Sequence, residues 1–535
     1  MFIDKTRSAI HNEIRRQEQQ LFAHLLTPDL FVQAALMCGL SIVASPLNLI
    51  NLVWLALSAA RHPELSFAAL LDLPVNALRD DERFAASDLH QRIDDANRQR
   101  QPRGKKRHAH QKTCTQRRCH SPHAGAAEKV STAAFVTARR RMPSEFWVAL
   151  FVLLGQRFTD LYADTVRWGR FRLLAVDGTG VPLPDYPALR EHFGTAKNGH
   201  GSHNAQARLV LLLLPLARFP LAYTLQPFTV GESTMARQLL QGLRANDLVL
   251  LDAGFRSYGV LAQIQRQDAY FCLRLSQKLN LKVLETLGSK NDVLVQWQPR
   301  DNRGKWRREG LPKSLRLRRL TYHSKGFRPL HLLTNVLSAQ QVPYEKWWGL
   351  SVSEEGEVLA RGIYHFRWEI ETTYRERKVE QQLEGSLRSR SVEGIAYEVA
   401  GHVLHYLLMR WVIAEAAQAA QVSPLRLSFQ EALRESQAMS PAVVVASAGW
   451  VEQTLRPRLL QRIGSHVVTE RPGRTYPRRR QERRAAKRAS TAKFRRQEKA
   501  KAKAGGKRQA KSRPWFGDGW DLRGRKADPD PPPQG

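Results

Sequence analysis

Residues 361–380 read RGIYHFRWEIETTYRERKVE. Taken as an α-helix turning about 100° per residue, the stretch places Arg367, Glu371 and Lys378 at about −60°, −20° and −40° from Tyr364. A phenol, a guanidinium, a carboxylate and an ammonium then share one narrow face. Alone, such a face reads as a solvated charged stripe, with Arg367 and Glu371 as an i,i+4 pair. Its meaning depends on which other acidic groups the chain brings to it.

Upstream, residues 168–276 carry short apolar runs. RFRLLAVDGTG (170–180) reads as a strand ending in a turn. QARLVLLLLPL (206–216) and FPLAYTLQPF (219–228) read as strands joined by a tight turn, and DLVLLDAGF (247–255) and AYFCLRL (269–275) as two more. Near-continuous apolar runs imply burial on both faces. GESTMARQLLQGLRA (231–245), with Ser233 or Thr234 near its start, and SYGVLAQIQRQ (257–267) read as helices. The expected fold class is therefore α/β, with a mixed five-stranded sheet and helices as its core. Two strands are predicted to end in an acid, Asp177 and Asp252, each followed by a small residue, Gly178 or Ala253. Singly, an Asp in such a place reads as a turn or cap residue. Residues 277–350 alternate apolar and polar side chains in KVLETL, DVLVQWQP, KWRREG, SLRLRRLTY and RPLHLLTNVL, which predicts a β-rich insertion. Helix is expected to resume near 354, and 351–465 to hold the Glu371 helix and further C-terminal helices, among them GIAYEVAGHVLHYLLMRWVIAEAAQAA (394–420).

The flanks differ in character. Residues 1–95 read as an N-terminal helical domain punctuated by Pro28, Pro46, Pro63 and Pro74. Residues 30–60 lack Asp, Glu, Lys and Arg, but Gln33, Pro46, Asn48 and Asn51 interrupt the run. Two buried helices parted at Ser45-Pro46 are expected there, and no membrane span. Residues 96–125 form a basic linker suited to phosphates. It holds His108, His110, Cys114, Cys119, His120 and His123, whose spacing specifies zinc only weakly, so a flexible basic arm is the stronger reading. Residues 126–167 read as a helical segment leading into the core. In the expected disordered basic tail, 466–535, the run from Arg471 to Arg513 has 19 lysines and arginines against two glutamates.

Formal net charge over the 535 residues is +35, which implies a polyanionic partner, nucleic acid first. Four scattered cysteines form no disulfide framework, and the N-terminus has no signal-peptide core, so a reducing, cytoplasmic setting is expected.

Asp177, Asp252 and Glu371 together are hard oxygen donors of the kind Mg²⁺ or Mn²⁺ prefers. Two such ions roughly 4 Å apart serve phosphodiester chemistry. YHFRWEIETTYRERK also matches Y-x2-R-x3-E-x6-K, and so resembles the DDE transposases of bacterial insertion sequences, in the branch called the IS-four family. AVDGTG, LLDAGF, LLTN and LRSRS resemble the same family in their order along the chain. The resemblance spans roughly 130–415. It implies an RNase H-like catalytic core with a β-rich insertion before the Glu helix. It also implies a metal triad of Asp177, Asp252 and Glu371 holding two Mg²⁺ or Mn²⁺ ions, with Tyr364, Arg367 and Lys378 on the DNA backbone. The implied reaction is hydrolysis at the element's ends, freeing a 3′-OH that attacks target DNA without a covalent protein intermediate. The implied partners are double-stranded DNA, as terminal inverted repeats and target, and a second copy of the chain in a synaptic homodimer. Some relatives stack a flipped base on a Trp just before the LLT strand; RPLHLLT has none, and Trp297, Trp306, Trp347 and Trp348 are unassigned. The alternatives are an RNase H-like nuclease without strand transfer, and a decayed or domesticated DNA-binding protein.

Overall fold

The computed structural model describes residues 21–40, 47–71, 131–195, 204–275, 279–299, 304–323, 328–352 and 358–469. The basic linker with its His and Cys residues lies outside them, as does the tail beyond residue 469.

Ten described strands form one mixed sheet. They are β1 (Arg167–Trp168), β2 (Phe171–Pro182), β3 (Gln206–Leu214), β4 (Phe219–Pro227), β5 (Asp247–Leu251), β6 (Tyr270–Leu275), β7 (Leu281–Ser289), β8 (Asp292–Trp297), β9 (Leu315–Tyr322) and β10 (Leu330–Thr334). Their order is β4-β3-β2-β5-β6-β10-β9-β8-β7, with β1 beside β2. β2 runs parallel to β5, and β5 to β6; β3 and β4 are antiparallel. The five expected strands thus form the expected mixed sheet. In β3, Leu209 to Leu214 are buried without a break, so both faces are covered, as the apolar run requires. The strands of the insertion continue this same sheet, because β10 pairs antiparallel with β6.

Three local readings are corrected. β2 does not end at the acid: it runs on to Pro182, because Gly178 and Gly180, read as a turn, stay in the antiparallel ladder with β3. KWRREG is not a strand, since Lys305–Arg308 form a helical turn. Nor is Val358–Arg361 helical: it pairs as β12 with β11 (Leu350–Val352), and helix begins only at Ile363.

Helices α1 (Pro28–Met37) and α2 (Leu49–Arg61) lie where two buried helices are expected. Asn48 caps α2, its side-chain oxygen accepting from the Asn51 amide at 2.8 Å. Further along come α3 (Thr132–Arg140), α4 (Ser144–Leu161), α5 (Glu232–Leu239), α6 (Tyr258–Gln265), α7 (Trp368–Arg375), α8 (Val392–Ala419), α9 (Phe429–Val445) and α10 (Arg456–Ser465). Among the described residues no helix is long and apolar enough to cross a membrane. α8 is buried on nearly all sides. It meets α4 and β4 where Phe158 stacks on Phe219 at 3.8 Å and Trp411 stands edge-on at 5.2 Å. It meets α2 where the Tyr397 hydroxyl donates to the Leu52 carbonyl at 2.5 Å.

The α2–α8 approach requires Gly401. A Cβ there would lie 2.4 Å from the Ala56 carbonyl oxygen and 2.8 Å from its carbon, both fixed backbone. Alanine gains about 1 kcal/mol of helix propensity, but overpacking of a core typically costs about 1–3 kcal/mol. Gly401→Ala is expected to lower the urea midpoint; an unchanged or higher midpoint would mean the helices are not in such contact.

Candidate active site

The register between β2 and β5 is set by a buried ion pair. Arg172 and Asp247 are direct partners across the two strands, and the guanidinium donates from both Nε and Nη2 to the carboxylate at 2.7 Å. Parallel strands advance in step, so the residues five further on are level: Asp177 on β2 and Asp252 just after β5. Side chains there emerge where the burial of β2 breaks, since Leu173 to Val176 are fully buried and Asp177 to Gly180 half-buried.

Asp177 is held at both ends of its backbone environment. Its carboxylate accepts from the Gly178 amide at 2.8 Å, and its carbonyl accepts from the Tyr374 hydroxyl of α7 at 2.6 Å. Burial pushes its carboxyl up to about 6; the Gly178 amide and the Arg367 charge oppose this, while the charges of Glu232 and Asp252 add to it.

The signature stretch is not one α-helix. Ile363–Arg367 is a 3₁₀ turn, α7 follows, and Glu376–Glu380 is a π turn. A uniform 100° step therefore does not apply, and the four side chains have different surroundings. Tyr364 is 1 % exposed, and its hydroxyl donates to the Leu251 carbonyl, next to Asp252, at 3.1 Å. Arg367 is buried and donates to Glu371 Oε1 at 2.6 Å. Its charge also acts on Asp177 and Asp252, so one guanidinium serves all three acids. Glu371 is exposed, with its side chain 45 % accessible. Lys378 leaves the π turn to donate to the Gly180 carbonyl at 3.2 Å and pairs with Glu384 at 2.7 Å. Asp177, Asp252 and Arg367 are thus brought together, with Glu371 reached through Arg367 and Lys378 on the backbone three residues beyond Asp177.

One acid at this site escaped the sequence reading. Glu232, in the first turn of α5, packs over Gly178: a Cβ there would lie 2.7 Å from its Cγ and 2.9 Å from its Cδ. Arg208 of β3 stands 3.7 Å from its carboxylate. The signal was present in two halves, a glycine directly after Asp177 and an acid opening a helix, but only the fold joins them. Of the four tryptophans, Trp347 is fully buried, Trp348 stacks on His365 at 4.3 Å, and Trp297 and Trp306 pack against Tyr258 at 5.3 and 5.9 Å.

Residues 168–408, from β1 into α8, match the family described as a transposase DDE domain. Over 365 residues the chain is 27 % identical to the Escherichia coli (strain K12) transposase InsG for insertion sequence element IS4, covering 65 % of this chain and 78 % of that one. The matched region is a transposase DDE domain, and the chain is similar to the transposases of IS4 type. Asp177, Asp252, Glu371 and the whole strand extension β7–β10 lie within the matched domain. A second relative, the putative transposase InsZ of the same organism, is 29 % identical over 102 residues, 19 % of this chain and 34 % of that one. Among solved structures, the piggyBac transposase synaptic complex with hairpin DNA aligns over 65 % of this chain and 67 % of that one, at 9 % identity and a TM-score of 0.29.

Among the described residues no three His, Cys, Asp or Glu converge closely enough to hold a metal ion. The donor chemistry nevertheless fits one. Asp177 is an oxygen donor whose anionic form is disfavoured by burial and by two neighbouring carboxylates, and a divalent cation would relieve that imbalance.

Proposed function

We propose that the enzyme cleaves DNA at the ends of an insertion sequence and joins the freed ends to target DNA, using an RNase H-like core. The observation that carries this reading is that Asp177 on β2 and Asp252 just after the parallel β5 are level, with Arg367 of the signature stretch acting on both. The mixed arrangement β4-β3-β2-β5-β6 supports the core assignment. Asp177, Asp252 and Glu371 would hold two Mg²⁺ or Mn²⁺ ions, which when bound supply Lewis acidity at the phosphodiester. Arg367 holds Glu371 in the free enzyme and would grip a phosphate if Glu371 were engaged by a metal. Lys378 offers a point charge to the neighbouring phosphate. Tyr364, buried under the site, holds the 3₁₀ turn against the end of β5 and so sets the height of Arg367 beside Asp252. The partners are double-stranded DNA and, because two ends are paired, a second copy of the chain; the setting is the bacterial cytoplasm.

The test is an incubation of end-containing duplex and supercoiled plasmid with Mn²⁺. Cleaved ends and joined product are expected. Cleavage without joining, also from pre-cleaved ends, would favour a nuclease, and neither product would overturn the reading.

The charge excess makes a separate prediction. DNA affinity is expected to fall steeply with salt, the log–log slope changing by about 0.9 for each phosphate neutralised. Removing residues 471–535 takes away 19 lysines and arginines between Arg471 and Arg513 and should flatten that slope by several units. An equal slope in titrations of the two proteins would show that the segment does not meet phosphates.

A further inference from the structure

The back of the site helix is gripped from the sheet by one residue. Arg218 lies in the turn between β3 and β4, with its backbone in the left-handed region at φ 50°. Its Nε donates to Glu369 Oε2 at 2.7 Å, and its Nη1 donates to Glu376 Oε1 at 2.9 Å. The Nη2 also stands 2.7 Å from Glu369 Oε2. All three side chains are close to buried, at 13 %, 10 % and 6 % exposure. Glu369 and Glu376 meet the same guanidinium and so lie on one side, while Glu371, two residues on from Glu369 within α7, projects about 160° away from it. Arg218 therefore holds two successive turns on one side, and the site carboxylate stands on the other.

Both glutamates also face groups beyond Arg218. Glu376 Oε2 takes the Tyr406 hydroxyl at 2.6 Å and the buried Arg410 guanidinium, and Arg361 stands 3.8 Å from Glu369 Oε1. Tyr406 and Arg410 belong to α8, so Glu376 ties the start of the π turn to the central helix. Among the described residues, only Arg218 bonds to both Glu369, near the start of α7, and Glu376, just past its end, and it comes from the strand pair that continues β2.

We propose that Arg218 is a positioning residue for the transposition reaction: its planar fork, engaged with Glu369 and Glu376, fixes the rotation and height of the helix that carries Glu371. This rests on the reading of Glu371 as a site carboxylate. A lysine would keep the charge but not the fork, since an ammonium is a point charge and cannot hold two separated carboxylates in one fixed plane. A purely stabilising role predicts that Arg218→Lys, assayed well below its unfolding temperature, cleaves like the natural chain.

The experiment compares full-length Arg218→Lys with the unaltered protein in single-turnover cleavage of an end duplex with Mn²⁺, with DNA affinity measured by fluorescence anisotropy. At saturating DNA the cleavage rate is expected to fall at least tenfold, with affinity within twofold. A wild-type rate overturns the proposal, and so does a loss that disappears on saturation. If Arg218→Lys does not fold, Glu369→Gln, which neutralises one arm while keeping an acceptor, decides by the same criterion. Glu371→Gln separates the two levels: wild-type cleavage by that variant removes the underlying reading. Its inactivity beside a fully active Arg218→Lys removes only the positioning role.

Discussion

Asp252→Asn is expected to lower the cleavage rate by at least about 10³-fold while leaving DNA affinity within a fewfold. The asparagine is nearly isosteric but gives up the anionic charge. Metal-assisted stabilisation of a phosphodiester transition state is worth several kcal/mol, and about 4 kcal/mol corresponds to 10³ in rate. Asp252 follows β5 directly, is half-buried, and opens a 3₁₀ turn through its carbonyl, which accepts from the Phe255 amide at 3.0 Å, a backbone bond that the substitution leaves in place. Asp177→Asn should be equally inactive, but with a distinguishing sign in stability. Burial and neighbouring carboxylates raise the Asp177 pKa to about 6, above its ordinary 3.8. An acid raised in the folded state favours folding when protonated, and that advantage is lost as pH climbs through its folded pKa. At pH 7 in EDTA, Asp177→Asn should therefore unfold at the same or a higher temperature than the natural chain while failing to cleave. A variant that cleaves at more than a tenth of the natural rate with Mn²⁺ would remove the corresponding aspartate from the site.

The core strands were legible because burial on both faces writes itself as unbroken apolar sequence. The runs at 206–216, 219–228, 247–255 and 269–275 each contain the strand found there. The 170–180 run was legible up to Val176 and misleading after it. Glycines usually mark turns, and nothing local shows that Gly178 lies in a ladder and makes room for Glu232. In the insertion, alternation gives strands but not neighbours. The pairing of β10 with β6 joins residues about sixty apart, and only tertiary contact decides it. The signature stretch was legible as helix and as a neighbour of the two aspartates, since the Arg367 charge acts on both. Its helical type was not, because 3₁₀ and π turns are imposed by what their side chains must reach. Tyr364 is bent to the Leu251 carbonyl, and Glu376 to a cationic pair whose members lie at 218 and 410. For the same reason Arg172 and Asp247, which bring the two aspartates level, carry no mark in the sequence.

The pair formed by Glu376 with its two arginines makes the other large effect. Glu376 is 5 % exposed and Arg410 is fully buried. Burial alone would raise the Glu376 pKa, but the charges of Arg410 and Arg218, with hydrogen bonds from Arg410 and Tyr406, outweigh it and hold the carboxyl below its ordinary 4.5. The same carboxylate raises the Arg410 pKa against its own desolvation, so both partners are charged. Glu376→Ala leaves the buried Arg410 guanidinium without that counter-charge and Arg218 with Glu369 alone of the pair. Breaking a buried pair from one side typically costs about 3–5 kcal/mol, which makes this one of the more damaging single substitutions available at the back of the site. The loss has a defined pH dependence. A carboxyl depressed in the folded state contributes its full stability above its unfolded pKa and loses it as pH falls through the folded one. In urea titrations the gap between the natural chain and Glu376→Ala should thus stay constant above about pH 5 and narrow on acidification below 4.5. Glu376→Gln should fall between the two, since it restores an acceptor for the Tyr406 hydroxyl but not the charge facing Arg410 and Arg218. A gap below about 1 kcal/mol at neutral pH would place the pair in the range of solvent-exposed ion pairs, and would mean that the start of the π turn is not anchored to α8 in this way.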